Sequence, residues 1–155
     1  TSAVSFETTT SGSRIFNALF SIAGNVERIS DHAVNIAGYA KMLSEKHITF
    51  SRQAQNELTE MKEICQRLFV LLQETPANYR EWHSTVACME QQMDDMTVQF
   101  RNHMYARIQD GACSDEGSVL FSEMLTDFER IGDHSLNIAD EHGRTDIRSV
   151  TAYSA

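Results

Sequence analysis

Residues Asn25–Tyr39 read NVERISDHAVNIAGY, and residues Asp127–His142 read DFERIGDHSLNIADEH. With Glu27 set on Glu129, both become E-R-I-x-D-H-x-x-N-I-A, 102 residues apart. Each copy lies within a run of apolar residues at helical spacing. Around the first, Ile15, Leu19, Ile22, Val26, Ile29, Ala33, Ile36, Ala40 and Leu43 follow an unbroken 4-3 pattern, a heptad seam. Around the second, Phe121, Met124, Phe128, Ile131, Ser135 and Ile138 form the equivalent seam.

Two further seams lie between the copies. One is Ala54, Leu58, Met61, Cys65, Leu68 and Leu72, with Ser51 as N-cap and Pro76 as the stop. The other is Trp82, Val86, Met89, Met93, Met96 and Phe100, with Gly111 as terminator. Ser114 caps the last helix, with Asp115 and Glu116 in its first turn, favourable for the helix dipole. No stretch alternates with period two. The expected fold is all-α: an antiparallel bundle of four long helices over residues 14–142. Residues 1–13, TSAVSFETTTSGS, read as a polar linker, and 143–155 as a polar tail.

The 155 residues suffice for one domain with a core. A net charge of −9 argues against a nucleic-acid partner and against an anionic membrane surface. The longest apolar run, Leu68 to Leu72, is far short of the ~20 residues that span a bilayer, so no membrane insertion is expected of this segment. Cys65, Cys88 and Cys113 are odd in number and scattered, as expected of reduced cytosolic thiols. The chain starts at Thr1 without Met, as an excised or processed piece would.

Glu27/Asp31, Glu90/Asp94 and Glu129/Asp133 are i,i+4 pairs, each stacked on one side of its helix. At 1.5 Å per residue all three pairs fall roughly 16–26 Å along the bundle, in one slice. Hard oxygen donors at one level suit Mg²⁺, Ca²⁺, Mn²⁺ or iron. The heptad wheel places these acids on the outer face. A solvated acidic face is the competing reading, with Arg28 and Arg130 forming ordinary i,i+3 ion pairs. Glu123/Asp127 has the same spacing and suggests no site. His32 and His134 read as ligands or as residues packed at the seam's edge, and His103 as a satisfied core-edge residue. Met89, Met93 and Met96 are core filler. Trp82 anchors the bundle's end.

Di-iron bundles place Glu-x-x-His in the core, whereas here His follows Glu by five residues. No nucleophile triad or Gly-rich phosphate loop occurs, so no enzyme is expected.

The duplicated phrase resembles the PhoU family. MEQQMDDM, RNHMYARI, GACSDEG and LTDFERIGDHSLNIA resemble the cytoplasmic C-terminal PhoU-like domain of bacterial sodium/phosphate cotransporters. The resemblance implies one complete three-helix repeat plus the last helix of the preceding one. It implies metal binding (iron, Mn, Mg or Zn) at Glu90, Asp94, Glu129 and Asp133. Glu27 and Asp31 match the same motif without their partner helix. It further implies a regulatory role in phosphate uptake, in a domain tethered at the inner face of the membrane by the transmembrane portion of the same polypeptide. A free-standing phosphate-signalling regulator and a purely structural interaction bundle are the alternatives. The orphaned first helix invites pairing with a second chain as a homodimer.

Overall fold

The computed structural model describes the backbone of residues 2–145 and the side chains of residues 12–143. Four helices follow in order: α1 (Ser2–Glu45), α2 (Arg52–Leu72), α3 (Tyr79–Gln109) and α4 (Asp115–Thr145). The all-α bundle expected from the four seams is the observed architecture.

Local chemistry sets the helix ends. Ser51 accepts a hydrogen bond from the Ala54 N–H, and Ser114 accepts one from the Gly117 N–H. Asn78 caps α3 by accepting from the Glu81 N–H. α3 closes where Gly111 takes φ +65°, so that the Ala112 N–H reaches back to the Arg107 carbonyl at 2.9 Å. Glycine adopts that left-handed conformation without a Cβ penalty. α1 closes the same way, with His47 at φ +54° and the Ile48 N–H on the Leu43 carbonyl.

α1 runs through residues 2–13, where the sequence predicts a polar linker. Ser and Thr cost only a few tenths of a kcal/mol each in a helix, and no Pro interrupts them. α4 continues through residue 145, and the rest of the predicted tail, 146–155, lies outside the described residues.

The main core joins α2, α3 and α4. Met61, Ile64 and Leu68 of α2, Val86 and Met93 of α3, and Phe121 and Leu125 of α4 are fully or almost fully buried in it. Trp82 closes the end as expected, its indole N–H donating to the Leu71 carbonyl at 2.9 Å. Inside the other end sits a buried ion pair, Glu57–Arg107 at 2.9 Å, with His103 on the same Glu57 and the guanidinium over the Phe121 ring.

α1 stands outside this core and packs along α4. Ile15, Ile22, Ile29, Ile36 and Leu43 are half-buried there, interleaved with Ala18, Asn25, His32 and Tyr39. The other half of the predicted seam, Leu19, Val26, Ala33 and Ala40, is exposed. α1 carries two apolar stripes that share the isoleucine row, and α4 covers only one of them. Phe16 and Phe20 belong to the open side.

Candidate metal centre

Glu90 and Asp94 lie one turn apart on α3, and α4 brings Asp133 to them. One carboxylate oxygen from each lies within 4.8 Å of the others. Gly132 lies at this approach: a Cβ there would sit 3.3 Å from Met93 Sδ, so the Met93 side chain would have to give by a few tenths of an ångström.

All three acids are half-buried in the groove between the two helices, not on the bundle's outer face as the heptad wheel predicts. The wheel assumes one seam per helix, but a helix in a three-helix unit meets two neighbours. The consequences are electrostatic. Glu90 is pushed above the usual carboxylate range by burial, then by Asp94 and Asp133. Asp94 is raised by burial, then by Asp133 and Asp95. Asp94 Oδ1 is buried without a hydrogen-bond partner. Three crowded acids and one orphaned buried oxygen raise the energy of the ion-free groove. A bound cation would answer both. An all-oxygen donor set fits a hard ion such as Mg²⁺, Ca²⁺, Mn²⁺ or iron. Asp133 also pairs with Arg130 at 2.9 Å, the i,i+3 contact expected from spacing, and an incoming ion would compete with it.

The other acids singled out by sequence are placed differently. Glu129 is half-buried a turn away on α4 and does not join the trio. Glu27 and Asp31 are exposed on α1 and join no acidic group of three among the described residues. His134 turns away from the acids toward α1. Its pKa is lowered by burial, then by the neighbouring His32.

Sequence reasoning missed Asp127. It is buried on the α1 side of α4 and receives His32 at 2.6 Å and the Asn35 amide at 3.2 Å. Its signal was available: a lone acid in the heptad row that carries Leu120, Met124 and Ile131. Glu57 was missed likewise, between Ala54 and Met61 on the α2 seam.

Fold and site together define an all-helical bundle with an acidic groove between two of its helices. Residues 58–141 match the PhoU domain family. The chain belongs to the PhoU family. Over 132 residues it is 26% identical to the phosphate-specific transport system accessory protein PhoU homolog 1 of Thermotoga maritima, an alignment covering 83% of this chain and 55% of that protein. The chain thus spans about half the length of that relative. No solved structure matches it significantly.

Proposed function

We propose that this chain is a cation-binding regulatory domain acting on phosphate uptake, and that it works by binding, not by catalysis. Family membership supports the phosphate role, and the relative's name ties that protein to phosphate-specific transport. The observation that carries the cation is the orphaned Asp94 oxygen inside the Glu90–Asp94–Asp133 trio. These three residues would hold the ion, which would supply fixed positive charge that draws α3 and α4 together. Iron, Mn, Mg and Zn are the ions to test.

We further propose attachment to the cytoplasmic face of a sodium-dependent phosphate cotransporter. The MEQQMDDM, GACSDEG and LTDFERIGDHSLNIA stretches support this reading. Among the described residues no helix is long and apolar enough to cross a membrane, so the tether would lie elsewhere in the polypeptide. In that polypeptide two helices equivalent to α2 and α3 would cover the open stripe of α1. Residues 102 positions after Leu19, Ala23 and Val26 are Phe121, Leu125 and Phe128, all buried under α2 and α3.

The test is radiolabelled phosphate uptake in cells producing the full-length protein. Asp133→Asn and Glu90→Gln are expected to alter phosphate control of uptake while protein levels hold. Unchanged uptake control in both variants would overturn the regulatory reading. A gene with no transmembrane segments preceding this stretch would replace the cotransporter with a free-standing regulator.

A further inference from the structure

The acidic trio uses only part of the repeated phrase. Its His and Asn residues meet instead at the α1–α4 seam. His32 Nδ1 lies 2.6 Å from Asp127 Oδ1, and the Asn35 amide donates to that same oxygen at 3.2 Å. His134 Nδ1 lies 2.9 Å from Asn25 Oδ1, and the Asn137 amide donates to it at 3.3 Å. Asn25, His32 and Asn35 stand 102 residues before Asp127, His134 and Asn137. The two clusters are therefore images of each other across an antiparallel helix pair. At the centre the two imidazoles stack, ring centroids 5.5 Å apart.

The apolar part of this seam cannot fix its own register. On α1 it is Ile15, Ile22, Ile29, Ile36 and Leu43, one residue every seven. A slip of one heptad, about 10 Å along the axis, sets one such residue where another stood. Polar residues in an apolar seam remove that degeneracy, because a slip strands buried groups without partners. Asp127, only 6% exposed, would be stranded. Apart from this half-buried apolar row, Ala18 is the one fully buried residue of α1 among those described.

We propose that the phrase carries a docking code: an acceptor (Asn or Asp) seven residues before His, and Asn three after it. Its partner is a second helix bearing the same code, and here α1 docks on α4 by it. His32, Asn35, His134 and Asn137 are positioning residues for this pairing. The code stands apart from the cation reading, so its test runs in EDTA, where the cation contributes nothing.

The test uses the full chain with spin labels on unnatural residues at Lys41 of α1 and Gln92 of α3, both exposed. Thermal midpoints and label-to-label distances are compared across Asn25→Ala, Asp127→Ala, their double variant, and Asp127→Asn. Asp127→Asn keeps an acceptor and makes both clusters alike. It is expected to hold the wild-type distance and a midpoint within roughly 2 °C of wild type. The double alanine variant is expected to lose about 4 °C or more and to show a broadened or shifted distance. Asn25→Ala removes no charge and is expected to lower the midpoint as well. Alanine variants with the wild-type midpoint and distance would overturn the code. So would an Asp127→Asn loss as large as that of Asp127→Ala, because the contact would then depend on charge alone.

Discussion

At one position of the repeated phrase stand Val26 on α1 and Phe128 on α4. Val26 is 50% exposed and Phe128 is 7% exposed. The same contrast recurs at Leu19 and Phe121, at Ala33 and Ser135, and at Ala37 and Ala139, where the α4 member is buried and the α1 member is not. Two helices with nearly the same words thus have different surroundings. Among the described residues α4 packs against α2, α3 and α1, whereas α1 packs mainly along α4. The difference extends to the acids: Asp133 has Glu90 and Asp94 beside it, and Asp31 has no such partners among the described residues. An internal repeat copies a helix's chemistry, but its neighbours decide which part of that chemistry becomes a core or a site.

The largest effect should come from truncating the two equivalent apolar residues. Phe128→Ala is expected to destabilise by about 3–5 kcal/mol, through lost burial and the cavity left behind. Val26→Ala should stay within about 0.5 kcal/mol of wild type, as a surface change does. Urea unfolding of both variants measures this. Equal losses would mean that α1's open stripe is covered in solution, and light scattering would then show a second copy.

A pH effect should set the two acidic phrases apart. Folding raises Glu90 and Asp94, so the folded state binds their protons more tightly than the unfolded state does. Without cation they therefore destabilise the fold at neutral pH. That cost fades as pH falls through their folded pKa values and is gone below the unfolded ones. Chemical denaturation at stepped pH in EDTA should show this relief in wild type. Glu90→Gln with Asp94→Asn should abolish it, and Glu27→Gln with Asp31→Asn should leave it intact.

The smallest effect concerns how the helices end. α3 ends on Gly111 at positive φ and α1 ends on His47 at positive φ. His47→Gly is expected to stabilise by about 0.5–1 kcal/mol by removing a Cβ from the left-handed conformation. Gly111→Ala should destabilise by a similar amount, and thermal unfolding measures both.

Much of the fold was legible because its signals are local. The seams of α2 and α3, the Ser51 and Ser114 caps and the Gly111 stop all act within a few residues. The α1 seam was legible only by half. Leu19, Val26, Ala33 and Ala40 carry the same helical period as the residues that are covered, and a period does not say which stripe meets a neighbour. Rise per residue places Glu90, Asp94 and Asp133 at one height, but it places Glu27, Asp31 and Glu129 in the same slice, and only the packing of α4 on α3 sets the first three apart. Asp127 was not legible as a site, because its only local acid pattern is the i,i+4 spacing with Glu123. Its true partners, His32 and Asn35, lie more than ninety residues away.

The central claim is that the second copy of the phrase, with its partner helix, forms a cation site that the first copy lacks. Isothermal titration of Mn²⁺ into the metal-free chain tests it most directly, on wild type, Asp133→Asn and Asp31→Asn. One saturable site is expected in wild type, lost in Asp133→Asn and kept in Asp31→Asn. No saturable binding in wild type, or equal weakening by the two substitutions, would contradict it.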